Sequence, residues 1–264
     1  MTAAAAESGT PTALEVDQLC KHFGGVVAVD RCSFTAPLGR VTGLIGPNGA
    51  GKSTAIDLIS GFKRADSGSV TFAQLPLLGM SPHQIARQGL IRTFQSPREW
   101  PSLTVLENLL LARWEPKRET IWRGIIGSGL AGAPGDVAQA RELLAEFGLL
   151  PLRNEPAGTL SGGQKRLLEF ARIRMAAPRL VILDEPMGGV NPVLGERMAE
   201  AIENFIATGT TVVVVEHNLP FIERVTHHVV VMAQGAVVAA GPFESMRQDE
   251  AVIDAYLGAM PAHD

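Results

Sequence analysis

The spacing of apolar residues along this chain changes period twice. Near the start, Leu14–Val16, Val26–Val29 and Ser33–Thr35 are short runs that predict strands of an opening sheet. Arg40–Ile45 is an apolar run that stops at a glycine, as a buried strand does, and Lys52–Ile59 predicts a helix. From about Thr93 to Ala177 the period is helical. Val137, Ala140, Leu144 and Phe147 fall on one face of Val137–Phe147, which Gly148 closes, and Gln164–Ala177 predicts a second helix stopped by Pro178. Trp114–Asp136, ahead of both, mixes glycine, proline and basic residues and predicts an insertion loop with a short apolar helix. The strand pattern then returns at Leu180–Leu183, Thr211–Val215 and His228–Met232, without polar alternation, as expected of strands covered on both faces. Leu194–Ala207 places Met198, Ile202, Phe205 and Ile206 at helical spacing, and Gly241–Asp264 predicts a helical tail. Strands alternating with helices predict an α/β fold around a mostly parallel sheet.

Composition narrows the function. The chain has 264 residues, 46% of them hydrophobic, enough for one large core or a core with a subdomain. A net charge of −4 supplies no basic field for nucleic acid, so no nucleic-acid partner is expected. Cys20 and Cys32 fit no metal or disulfide framework and read as reduced, packed thiols of a cytoplasmic protein. The first residues lack a signal-peptide pattern, and no apolar run is long enough to span a bilayer; Ile121–Ala133 comes nearest but carries Arg123. Any membrane association is therefore expected to run through a partner.

The chemistry lies in three short stretches. Gly46-Pro47-Asn48-Gly49-Ala50-Gly51-Lys52-Ser53 is a phosphate-binding loop between an expected strand and an expected helix, the context such a loop requires. Its glycines let backbone N–H groups converge on phosphate oxygens, and the following helix turns its positive end to the same anion. Lys52 can reach the β- and γ-phosphates, Ser53 can ligate Mg²⁺, and Thr54 adds a donor. Asp184-Glu185 ends an apolar strand at its carboxyl end, where ligands sit in open parallel sheets. Asp184 is placed to hold Mg²⁺, and Glu185, pointing elsewhere, to polarise an attacking water. Leu160-Ser161-Gly162-Gly163-Gln164 is a second glycine-rich element at the start of a helix, which reads as an anion site or as a plain helix N-cap. A second phosphate site has little use in one copy and suggests that two copies share the nucleotide.

In order and spacing, these three stretches resemble the nucleotide-binding subunit of ATP-binding-cassette transporters, from about Leu14 to Gly258. The resemblance implies a P-loop NTPase core with an antiparallel β subdomain and an α-helical signature subdomain. It divides a single nucleotide-binding domain into a flexible tail at 1–12, a catalytic core at 13–92 and 178–240, a glutamine-loop and helical subdomain at 93–177 and a C-terminal tail at 241–264. It further implies that Ser161, Gly162, Gly163 and Gln164 meet the γ-phosphate of ATP held by the opposite subunit. Gln95 matches the glutamine that contacts Mg²⁺ and water and senses the membrane partner, His217 the histidine at the γ-phosphate, and Phe23 the aromatic that stacks on adenine. One departure stands out: after the acidic pair, many cassettes carry a Ser-Ala-Leu-Asp turn where this chain has Met187-Gly-Gly-Val-Asn191.

The expected activity is ATP hydrolysis by in-line attack of water, with ATP and Mg²⁺ bound between two ATP-binding subunits of a homo- or heterodimer, on the inner face of the membrane. Gly89-Leu-Ile-Arg-Thr-Phe-Gln95, Leu103-Thr-Val-Leu-Glu-Asn-Leu109, the Gly188–Pro192 turn and Val252–Gly258 are similar to ATPase subunits of branched-chain amino acid importers, which implies permease subunits and, indirectly, a solute-binding protein. Polar-amino-acid, urea or amide importers and lipid or lipopolysaccharide-type exporters share much of this pattern. A soluble ATPase acting on ribosomes or DNA is the alternative from another class, though the chain has one cassette and no sustained heptads. Trp100, after Gln95, is open to two readings: a contact for the membrane partner, or a residue packed in the helical subdomain.

Overall fold

A computed structural model describes residues 11–96, 98–113 and 134–257, which form two compact units. The insertion read at Trp114–Asp136 lies almost wholly outside the described residues, as do most of the N-terminal tail and the end of the C-terminal one. The first unit comprises residues 11–95, 179–189 and 199–257, and the second residues 96–178 and 190–198.

Two sheets build the first unit. Strands β1 (Thr12–Phe23), β2 (Val26–Pro37), β4 (Ser67–Phe72) and β5 (Leu75–Pro76) pair antiparallel in the order β2-β1-β4-β5. The larger sheet runs β10-β9-β3-β8-β7-β6, from β3 (Val41–Ile45), β6 (Leu90–Arg92), β7 (Leu180–Asp184), β8 (Thr211–Val215), β9 (His228–Ala233) and β10 (Ala236–Gly241). All its pairings are parallel except β10 with β9. Every residue of β3, β7 and β8 is buried, which explains why their sequences carry no polar alternation.

A continuous apolar core unites the two sheets with helix α1 (Lys52–Ile59). Leu14, Leu19, Cys32 and Phe34 from β1 and β2 join Ile56 and Ile59 from α1, Phe72 from β4, and Ile182, Val213, Val230 and Met232 from the parallel sheet. Each fully buried aliphatic or aromatic side chain of that set contributes about 1.5–3 kcal/mol. The antiparallel sheet differs from the sequence reading. Val26–Val29 and Ser33–Thr35 belong to one strand, and β1 is four times longer than its apolar run, because bulges interrupt both strands. Gln18 and Arg31 take φ of 47° and 43°, and the register slips between Val16 and Leu19 and again toward Lys21.

Short helices complete the first unit: α2 (Pro82–Arg87), α7 (Leu219–Val225), α8 (Phe243–Met246) and α9 (Glu250–Leu257). In the tail read as helical from Gly241, that residue ends strand β10 and the two helices α8 and α9 follow. The second unit is helical, with α3 (Val105–Ala112), α4 (Pro134–Glu146) and α5 (Gly162–Ala176), and it also takes the first turns of α6 (Pro192–Ala207). Helix α3 opens with a reciprocal cap in which Thr104 and Glu107 each bond the other's backbone N–H.

Candidate functional site

Strands β9, β3, β8, β7 and β6 lie side by side and parallel, so their carboxyl ends share one edge. That edge gathers the phosphate loop after β3, Asp184 and Glu185 at β7, Glu216 and His217 after β8, and Gln95 shortly after β6. It is the edge at which open α/β sheets bind ligands.

Sterics require the loop's glycines. Gly46, Gly49 and Gly51 take φ of 147°, 81° and 96°. A Cβ on Gly46 would lie 2.1 Å from the Met232 carbonyl oxygen, and one on Gly51 2.4 Å from that of Ala28. Gly51 is the N-cap of α1, and no side chain caps that helix or places an acid in its first turn. The first amides of α1 are thereby left to an external anion. Within the loop Ala50 is packed, whereas Asn48, Gly49 and Ser53 are exposed and Pro47 and Thr54 half-buried. The Lys52 ammonium is buried and donates to the carbonyls of Gly46 (2.7 Å) and Pro47 (3.0 Å), which curls the loop around it. Burial draws its pKa down, opposed by the nearby carboxylates of Glu185, Asp184 and Glu216.

The acidic pair is held on both sides. The Asp184 N–H donates to Thr93 Oγ1 (3.0 Å), and its carboxylate oxygen Oδ2 accepts from Arg92 Nη2 (2.9 Å). Glu185 takes φ of 45° and donates its N–H to Val215 O at 2.9 Å. This left-handed conformation costs a side-chain-bearing residue roughly 1–2 kcal/mol and turns Glu185 away from the strand alternation. The Gln95 amide Nε2 donates to Glu185 Oε2 at 2.9 Å, so two residues read separately in the sequence form one contact. The exposed His217 side chain sits on the same edge.

Sequence reasoning missed two residues. Glu216 is fully buried, and its carboxylate accepts three backbone N–H groups, from Met187 (2.7 Å), His217 (2.9 Å) and Asn218 (3.1 Å). It ties the turn after the acidic pair to the segment bearing His217. The readable signal is an acid directly after an unbroken apolar strand. The other is Arg92, whose partners lie far away in sequence.

Phe23 ends β1 half-exposed, with the Lys21 and Lys63 ammonium groups 5.4 and 5.8 Å from its ring centroid. Ser161, Gly162, Gly163 and Gln164 fall in the second unit, at the start of α5. The structure gives the cap directly. Ser161 is a true N-cap, its Oγ accepting from Gln164 N (3.3 Å) while Gln164 Oε1 accepts from Ser161 N (2.9 Å). The cap uses the hydroxyl as an acceptor and leaves its O–H to donate. In the same unit Asn191 Oδ1 accepts from Leu194 N at 2.9 Å, and the half-exposed Trp100 ring carries the Arg172 guanidinium 4.3 Å from its centroid.

Among the described residues no three His, Cys, Asp or Glu side chains form a metal cage. Asp184 and the Ser53 hydroxyl, with the oxygens of a bound phosphate, could supply the oxygen donors that a magnesium ion takes.

A glycine-lined anion loop, a helix N-terminus without a side-chain cap and two carboxylates on a parallel-sheet edge define a phosphate-loop nucleoside triphosphatase. Comparison with known proteins narrows that class. Residues 29–188 match the ABC transporter family. The chain is 41% identical over 246 residues to the probable branched-chain amino acid transport ATP-binding protein LivG of Archaeoglobus fulgidus, covering 93% of this chain and 95% of that one. It is 36% identical over 248 residues to the high-affinity branched-chain amino acid transport ATP-binding protein BraF of Pseudomonas aeruginosa, covering 93% and 97%. The crystal structure of the ADP conformation of MJ1267, an ATP-binding cassette of an ABC transporter, superposes with a TM-score of 0.81 at 33% identity over 94% of this chain and 100% of that one. The chain belongs to the ABC transporter family and is an ATP-hydrolysing subunit of it.

Proposed function

We propose that this ATPase powers the import of branched-chain or related amino acids through separate permease subunits, working as one of a pair of cassettes and receiving solute by way of a binding protein. The hydrogen bond between Gln95 and Glu185 carries the hydrolytic reading, because it joins the water-orienting amide to the carboxylate that follows Asp184 on the phosphate-loop edge. The choice of solute rests on the 41% identity to an archaeal branched-chain amino acid transport ATP-binding protein.

In this reading the amides of Gly49, Ala50, Gly51 and Lys52, with Ser53 and Thr54, cradle the phosphates, and the Lys52 ammonium turns from its loop carbonyls to the phosphate oxygens. Pro47 and Asn48 shape the loop's rim, and Gly46 lets its base pass under Met232. Phe23 stacks on the base. Asp184, Ser53 and Gln95 hold Mg²⁺, which when bound neutralises charge on the transferring phosphoryl group. Glu185 accepts a proton from the attacking water, Gln95 orients that water, and His217 donates toward the γ-phosphate. Ser161, Gly162, Gly163 and Gln164 close the site from the second cassette, where the Ser161 O–H and glycine amides meet the same phosphate. Loss of that contact on hydrolysis lets the pair separate and gives the permease its stroke. Because no helix among the described residues is long and apolar enough to cross a membrane, attachment to the inner face falls to the permease.

The test is reconstitution with the permease subunits and binding protein in liposomes. The expected result is phosphate release stimulated by leucine, isoleucine or valine, together with uptake of the labelled amino acid. Co-purification with ribosomes or DNA in place of a permease contradicts the transport reading. Stimulation by urea or amides alone moves the solute assignment.

A further inference from the structure

We propose that Arg92 is a positioning residue for the hydrolytic reaction: its guanidinium fastens the metal carboxylate Asp184 to the helix of the phosphate loop. The inference rests on the reading of Asp184 as a Mg²⁺ ligand given above.

The arrangement uses the forked shape of the guanidinium. Nη2 donates to Asp184 Oδ2 at 2.9 Å. Nη1 donates to Asp57 Oδ1 at 2.6 Å and Ser60 Oγ at 3.1 Å, both near the C-terminal end of α1. Two aromatic rings, Phe62 and Phe94, each lie 5.6 Å from the guanidinium carbon and meet edge to face at 5.4 Å. The Arg92 side chain is 8% exposed. Burial pushes the Asp57 carboxyl up, but hydrogen bonds from Lys63 and Arg92 outweigh it and hold the group ionised, below its usual range. Lysine has one ammonium on a flexible stem and cannot span two carboxylates in a fixed plane as arginine does.

Three consequences follow. Thr93 fixes the Asp184 backbone and Arg92 engages its Oδ2, so the proposal assigns Oδ1 to the metal. The helix whose first amides hold phosphate and the strand that delivers the metal ligand are bolted together by one planar group, so phosphate and metal sites keep a common geometry. The same strand end leads, three residues on, to Gln95 and its bond to Glu185, so displacement of the glutamine loop reaches Asp184 through Arg92. Partners that orient metal ligands typically influence metal affinity 10–100-fold when removed.

The test uses the full-length chain and measures binding rather than turnover. The affinity for the non-hydrolysable analogue AMP-PNP is determined by calorimetry with Mn²⁺ and with EDTA, for wild type, R92K, R92Q, D57N and D184N; thermal melting of each nucleotide-free protein is recorded alongside. The readout is the factor by which Mn²⁺ strengthens analogue binding. That factor is expected to fall about tenfold in R92K and R92Q and about threefold in D57N, while affinity in EDTA stays within about threefold of wild type. A factor within twofold of wild type in R92K overturns the proposal, as does a loss of EDTA affinity in step with the loss in Mn²⁺, which makes Arg92 a prop for the fold. If R92Q does not fold, R92K and D57N decide, and a D57N factor equal to wild type removes the bridge to α1. D184N separates the two levels. If it leaves the factor intact, the metal role of Asp184 fails; if it lowers the factor and R92K does not, only the role of Arg92 fails.

Discussion

Replacing Glu216 removes the acceptor for three backbone N–H groups at one stroke. The bonds measure 2.7 Å to Met187, 2.9 Å to His217 and 3.1 Å to Asn218, the first on one carboxylate oxygen and the other two on the second. A hydrogen bond to a charged group contributes about 1.5–3 kcal/mol, and a donor left dry forfeits its hydration besides. Water entering the space left by alanine recovers part of that loss, which sets the expected cost of Glu216→Ala at about 3–5 kcal/mol. Glutamine is milder. Its carbonyl can occupy the position of the oxygen that serves His217 and Asn218, but its NH₂ then faces the Met187 N–H, which costs about 2 kcal/mol for one bond lost and one donor set against another. Urea denaturation of the nucleotide-free protein measures both values, and melting should fall by roughly 2–4 °C per kcal/mol. Phosphate release should drop at least tenfold in Glu216→Gln, because His217 and the Met187 turn lose their common anchor. A Glu216→Ala protein within about 0.5 kcal/mol of wild type refutes this reasoning. So does a glutamine variant as unstable as the alanine one.

Three further predictions test other parts of the site. Glu185→Gln should keep ATP binding and lower turnover by about 10²–10⁴-fold in a phosphate-release assay. Gly51→Ala should weaken ATP binding at least tenfold, since its Cβ meets the Ala28 carbonyl at 2.4 Å, whereas Gly49→Ala, with open space around it, should bear only the positive-φ cost of about 1–2 kcal/mol in denaturation. Asp66 is lowered to about 2, chiefly by the hydrogen bond from Lys21 and then by that from the His22 N–H. A depressed carboxyl stabilises the fold fully above its unfolded pKa and loses that contribution as pH falls through its folded value. The gap in urea midpoint between wild type and Asp66→Asn should therefore be constant above about pH 5 and close between about pH 4 and 2.

Much of the parallel sheet was legible because its strands are short, continuous and buried on both faces, so composition alone marks them. Thr211–Val215 and the helix Lys52–Ile59 fall where their patterns place them, the latter because the glycine turn before it and its apolar face agree. The antiparallel sheet was harder. Bulges at Gln18 and Arg31 break the alternation that marks a strand, so long strands read as fragments. Strand β6 has three residues, too few for any period to show, yet it carries Arg92 and leads to Gln95. The phosphate loop and acidic pair declared themselves as motifs. Arg92 and Glu216 did not, because their meaning lies in partners 92 and 29 positions away, and no local pattern encodes such a pairing.

The proposed mechanism depends on ATP held between two copies of this cassette. Sedimentation velocity of the Glu185→Gln protein with and without MgATP decides whether it is. The expected result is a single-chain species without nucleotide and a two-chain species with MgATP that Gly163→Asp abolishes while nucleotide binding to the single chain persists. A Glu185→Gln protein that binds MgATP at saturation and remains single at every concentration, alone and with its permease, contradicts it.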